Sequence, residues 1–170
     1  VAVVAQNWWQ AQQALDALPV EWDAAGHDGI DDARILAELE AGLTTGDAVT
    51  VTERGRPDTV LKAAGRRIEA TFYAPYLAHA TMEPMNATAR WTPERCEVWC
   101  PTQNGEAALQ AAAEAAGLPP TQCDVHKIHL GGGFGRRGAF HDFVTQAVAI
   151  ARQLPGTPIK LLWTRERSEE

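Results

Sequence analysis

Apolar and polar positions recur in two periods along this chain, and the periods separate helices from strands. The opening run VAVVA reads as a strand. Trp8, Ala11, Leu15 and Leu18 then follow helical spacing, with Asn7 and Gln10 placed as a capping pair. VEW at 20–22 fits a short strand, and AAGHDG is a turn-rich break. Asp31 is placed to cap a helix in which Ile35, Leu36, Leu39 and Leu43 form one stripe, ended near Gly42. Residues 44–66 are polar and turn-rich, with AVTVT as one short strand and RGRP at 54–57 as a solvated turn.

Beyond residue 66 the pattern sharpens. RRIEATFYA alternates strictly, with Ile68, Ala70, Phe72 and Ala74 on one face, and predicts a half-buried strand. PMNATARW and CEVWC predict strands joined by the turn TPER, a hairpin. GEAALQAAAEAAG predicts a helix stopped by Gly117, Pro119 and Pro120. QCDVHKIHL is a strand, AFHDFVTQAVAIARQL a helix with Phe143, Ala147, Ile150 and Leu154 on one side, and PIKLLWTRE a final strand. The order from residue 68 is β, β, β, α, β, α, β. The predicted class is α/β, a mixed sheet with helices packed on it. Three parts are expected: the end of an upstream α/β segment at 1–45, a linker at 46–67, and a larger domain's portion at 68–170.

Composition narrows the function classes. The chain has 170 residues, 45% hydrophobic and 22% charged, with a formal net charge of -7. That balance argues against a general nucleic-acid binder, whose phosphate affinity needs clustered Lys and Arg. No apolar run approaches the ~18 residues of a membrane span. The chain opens inside VAVVAQ without an initiator Met, and is read as a piece of a longer protein. Cys96, Cys100 and Cys123 form no disulfide framework. Cys96 and Cys100 are four apart on a strand, roughly 13 Å and too far to bridge. All three are expected to be buried or inert.

The densest candidate chemistry is HLGGGFGRRG, 129–138. No Lys-Ser or Lys-Thr follows the glycines, which excludes a P-loop. Gly133-x-Gly135-x-x-Gly138 spells a dinucleotide fingerprint between a strand and a helix. The strand before it carries Asp124, His126, Lys127 and His129, where a doubly buried first strand would be apolar. Three consecutive glycines also exceed what a turn needs. Bare N–H groups near a helix N-terminus suit an anion or an oxo group, so an anion- or dinucleotide-binding module without catalysis stands as the rival reading. HATMEPMN, 79–86, leaves two readings open: a His-Glu metal pair, which Pro84 disfavours on a helix, or a polar turn packed by Met82 and Met85. In WCPTQN, 99–104, capping accounts for Thr102 or Asn104 and leaves Gln103 unexplained. His126 and His129 face opposite sides of a strand and do not share a metal. His27 and His141 are expected to be exposed.

Together, YLAHATMEPMNATARW, VWCPTQN, the alanine-rich helix ending GLPP, VHKIHLGGGFGRR and IKLLWTRE resemble the molybdenum-binding large subunit of the xanthine oxidase family, of the isoquinoline 1-oxidoreductase beta-subunit type. The resemblance covers nearly all of this chain and a minority of such a subunit. It implies a fragment of a molybdopterin-binding subunit. Such a subunit oxidises an aldehyde or hydroxylates an N-heteroaromatic with oxygen from water. It implies molybdenum on molybdopterin, in bacteria often the cytosine dinucleotide, in the full-length protein. The fragment alone is expected to be inactive and without cofactor. Implied partners are the rest of the large subunit, an iron–sulfur small subunit and a cytochrome acceptor. Relatives are both cytoplasmic and periplasmic.

By the same resemblance Gln103, Phe134 and Gly135 stand at the metal's oxo ligand, with Gly135 offering its N–H. Gly131, Gly132 and Gly133 give the backbone clearance. Glu83 and His79 line or brace the site. Arg136 and Arg137 face the pterin or make ion pairs. Many relatives carry a small residue, Lys and Glu after the loop, where Arg136, Arg137 and Gly138 stand here, so a substrate-orienting carboxylate is missing and purine-type substrates are disfavoured. The catalytic glutamate of the family lies downstream of these residues.

Overall fold

The computed structural model describes residues 1–46 and 48–166. The last residues of the expected 68–170 unit, 167–170, lie outside them, as does Asp47. The described chain divides into a unit of residues 1–17 with 75–170 and a second unit of 18–74.

The second unit holds α2 (Asp32–Gly42) and α3 (Pro57–Ala63). Asp31 caps α2 as its sequence predicts, accepting from Arg34 N at 2.8 Å. α3 was not expected within the turn-rich stretch; Pro57 at its first position, followed by Asp58 and Lys62 near the two ends, was the signal for it. Neither helix buries a residue. VEW and AVTVT form no strands. The alternating run at 68–74 is also no strand: Ile68 is 80% and Phe72 92% exposed. Alternation predicts a face, but a strand forms only against a neighbour that completes its hydrogen bonds, and among the described residues none pairs with it. VAVVA, in the first unit, fails to form a strand for the same reason.

In the first unit, α1 (Trp8–Asp16) starts at Asn7, whose side chain accepts from Gln10 N at 3.0 Å. The core belongs to a four-stranded sheet made of β1 (Asn86–Trp91), β2 (Cys96–Pro101), β3 (Cys123–Ile128) and β4 (Ile159–Leu162), in the order β3-β2-β1-β4. β1 and β2 form the predicted hairpin. β2 runs parallel to β3, reached through α4 (Gly105–Ala116), and β4 pairs antiparallel with β1. The mixed sheet matches the predicted class and lacks the parallel switch point of a dinucleotide fold.

Every second residue of the hairpin points inward. Ala87, Ala89, Cys96, Val98 and Cys100 meet Ala108, Ala112 and Ala116 of α4 and Phe143, Val144, Ala147 and Val148 of α5 (Asp142–Ala151) in one core. The small side chains of α4 let two helices share one sheet face. Gly117 ends α4 at φ 67°, a left-handed cap. The three thiols are free and buried. Burial pushes Cys96 up to about 12, helped by neighbouring Cys123 and Glu97. It pushes Cys100 up to about 11 against the pull of Arg137.

Candidate functional site

Topology brings the singled-out stretches to one end of the sheet. β2 and β3 are parallel, with Pro101 opposite Ile128, so the residues that follow both strands leave side by side. β1 is antiparallel to β2, so the residues entering β1 arrive at the same end. Gln103, the glycine run and Glu83 meet there.

The contacts are specific. Gly135 N–H donates to Gln103 Oε1 at 3.2 Å. Gly131 N–H donates to Glu83 Oε2 at 2.8 Å, and Glu83 N–H returns a bond to the Gly131 carbonyl at 3.1 Å. Glu83 Oε1 accepts from Asn86 Nδ2 at 3.0 Å. Its carboxylate is thus held on both oxygens, which favours the bracing role over the His-Glu metal pair. His79 Nε2 lies beside Gly135, 3.9 Å from where a Cβ would stand. Met85 is buried and Met82 is 85% exposed, so only one of the two methionines packs the turn.

The glycines are required sterically. A Cβ at Gly131 would come within 2.6 Å of Glu83 Cβ, and one at Gly133 would collide with the Gln103 amide. Gly132 and Gly135 adopt φ 101° and 94°, a region that favours glycine. Phe134 between them also has positive φ, 51°, and its ring is 75% exposed. A bulky residue held left-handed stores of order 1 kcal/mol of strain. The turn therefore holds an apolar ring out at the surface.

Gly135 differs from expectation: its N–H is engaged by Gln103 rather than aimed outward. That bond orients the amide carbonyl inward, and among the described residues the Gln103 amide nitrogen has no partner. The edge therefore presents a side-chain NH2 group, with the Phe134 ring beside it.

The two arginines diverge. Arg136 reaches both carboxylate oxygens of Asp142 through Nη2 at 3.0 Å, donates from Nη1 to the Phe140 carbonyl at 3.3 Å and lies over the Trp163 ring. Arg137 is fully buried. It pairs with Glu83 Oε2 at 3.1 Å and donates to four carbonyls. Burial lowers its pKa, with Glu83 raising it back in part. His141, expected at the surface, is instead 5% exposed. Its Nε2 lies 2.8 Å from Thr102 Oγ1, a partner 39 residues away that no local pattern reveals. Its Nδ1 is buried without a hydrogen-bond partner; the Ala139 backbone is near enough to favour the charged ring but not in bonding geometry. Burial holds its pKa below the ordinary value. A concavity of about 440 Å³ opens beside it, lined by Arg136, Phe140 and Asp142 among others, and includes neither Gln103 nor Phe134. Among the described residues no cluster of three or more His, Cys, Asp or Glu is placed around one metal ion, and no helix is long and apolar enough to cross a membrane.

Comparison with known proteins fits this arrangement. The family model of the molybdopterin cofactor-binding domain matches residues 43–169. The chain is 28% identical over 171 residues to the membrane-bound aldehyde dehydrogenase (pyrroloquinoline-quinone) of Gluconacetobacter polyoxogenes, covering 97% of this chain and 21% of that protein. It is 28% identical over 184 residues to isoquinoline 1-oxidoreductase subunit beta of Brevundimonas diminuta, covering 98% and 22%. The fold is similar to that of quinoline 2-oxidoreductase from Pseudomonas putida 86, with a TM-score of 0.58 and 20% identity over 65% of this chain and 14% of that one. The chain thus spans about a fifth of the length of these two curated relatives.

Proposed function

We infer the function from the family: the chain belongs to the molybdopterin cofactor-binding domain family, whose model covers most of its length. In the full-length protein these residues form one edge of a molybdopterin site, in an oxidoreductase that oxidises an aldehyde or hydroxylates an N-heteroaromatic. The observation that carries this reading is the Gln103–Gly135 pair, an amide with a free NH2 group beside a backbone stripped of side chains.

These residues fit a bulky cofactor bearing an oxo group. Gly131–Gly133 leave the backbone bare where the cofactor approaches. Gln103 would offer its amide nitrogen as a donor to the cofactor's oxo group. Phe134 walls the edge and excludes water, and His79 and Glu83 brace it. Arg136 contributes by holding Phe140 and Asp142. When bound, the molybdenum supplies a two-electron oxidation with oxygen drawn from water. The cofactor form is the cytosine dinucleotide. The partners the full-length protein would need are an iron–sulfur small subunit and a cytochrome acceptor to take up electrons, with the rest of the large subunit to supply the catalytic base.

The full-length protein, purified with its co-expressed partners, tests this by metal and pterin analysis with dye reduction on benzaldehyde and isoquinoline. About one molybdenum per chain and turnover of either substrate are expected. A protein carrying pyrroloquinoline quinone and no molybdenum overturns the proposal.

A further inference from the structure

Of the two adjacent arginines, only Arg137 turns wholly inward. Its three guanidinium nitrogens reach three separate segments. Nε donates to the Gly132 carbonyl at 3.0 Å, and Nη1 to the Pro101 carbonyl at 3.3 Å. Nη2 donates to the Glu83 carbonyl at 2.6 Å and the Pro84 carbonyl at 3.4 Å, and pairs with Glu83 Oε2 at 3.1 Å. These are the entry to β1, the exit from β2 and the glycine run. Its own carbonyl meets the residues that follow β2. It accepts from Gln103 N–H at 3.1 Å and lies 3.2 Å from Thr102 Oγ1. Two residues earlier, Gly135 N–H holds the Gln103 side chain. The loop thus grips Gln103 at its backbone through Arg137 and at its amide through Gly135.

We propose that Arg137 is the positioning residue for Gln103: its buried fork locks the loop against both neighbouring segments, and its carbonyl sets the Gln103 backbone. This rests on the reading of Gln103 as the group that faces the cofactor. Lysine cannot take the place, because its single ammonium nitrogen cannot span carbonyls served by Nε, Nη1 and Nη2. Charge alone does not suffice; the fork geometry does the positioning.

The test uses the full-length protein, wild type against Arg137→Lys and Glu83→Gln. Amide hydrogen exchange is followed at 102–104 and 131–137, and kcat, KM and the Mo(V) spin-resonance signal are taken per bound molybdenum. Arg137→Lys is expected to speed exchange in both segments, to lower kcat per molybdenum roughly 100-fold with KM little changed, and to alter the signal. Glu83→Gln leaves Arg137 its four carbonyls but removes the charge and one acceptor oxygen, so a smaller change in the same direction is expected; it decides the matter if the lysine variant does not fold. Wild-type exchange rates in the folded variants overturn the proposal. So does a lowered melting temperature with kcat per molybdenum and signal unchanged, since Arg137 would then be structural only. A wild-type protein without molybdenum overturns the functional reading, and the exchange comparison still decides the positioning.

Discussion

Gly131 and Gly133 stand two residues apart, and each is a glycine for a different reason. Gly131 is exposed, yet a Cβ there would meet Glu83 Cβ, an atom fixed to the backbone of a residue tied to Arg137. Gly133 is buried, and a Cβ there would meet the Gln103 amide, the far end of a flexible side chain. One face of the loop is anchored by a buried ion pair and backbone bonds. The other carries an exposed ring and a half-satisfied amide. The Glu83 contact sets stability and the Gln103 contact sets chemistry, so substitutions at the two glycines should separate the two properties.

The largest effect is expected at the buried Arg137. Arg137→Met removes the cation, leaves the Glu83 carboxylate without its counter-charge and takes a donor from each of four carbonyls, which should cost about 3–5 kcal/mol in denaturant unfolding. A loss comparable to that of a surface variant such as Arg95→Met would break the comparison. Gly131→Ala forces Glu83 and its turn to shift, an overpacking cost of about 1–3 kcal/mol read by the same method. Gly133→Ala sharpens the contrast: the amide swings away, so stability should fall by less than about 1 kcal/mol. The Gly135–Gln103 bond is lost with it, and molybdenum-dependent turnover of the full-length protein should drop much further than stability. Equal losses at Gly131 and Gly133 would erase the distinction.

The smallest effect is a pH dependence. Burial lowers the folded-state pKa of His141, so the unfolded chain binds its proton first on acidification. The stabilisation is complete above the ordinary histidine value of about 6.5 and is lost as pH falls from there through the lowered folded value. Melting temperatures from pH 8 to 5 should drop less steeply for His141→Gln than for wild type. Parallel curves would show that His141 titrates alike in both states.

The hairpin, α4, β3, α5 and β4 were legible because each carries its own period and stop signal. Ala87 and Ala89 alternate with polar neighbours, and Gly117 marks the end of an alanine run. Asn7 and Asp31 announced their helices by capping, each with apolar residues at helical spacing behind it. Residues 68–74 were misread because alternation is a property of one segment, and pairing is a property of two. The burial of His141 depends on Thr102, and nothing near position 141 signals it. Within the RR pair, identical side chains part ways, one to Asp142 and one to the buried carbonyls, just after a turn with positive φ at Phe134 and Gly135. Motif order, through the family resemblance, singled out the glycine loop, Glu83 and Gln103. Their convergence follows from parallel strands that end in register.

Crystals of the full-length protein with its cofactor, measured at the molybdenum absorption edge, test the central claim most directly. The anomalous peak is expected beside Gln103 and Phe134, with Arg137 behind the loop and out of contact with the cofactor. A peak at a site lined by neither Gln103 nor Phe134, or no peak at all, would contradict it.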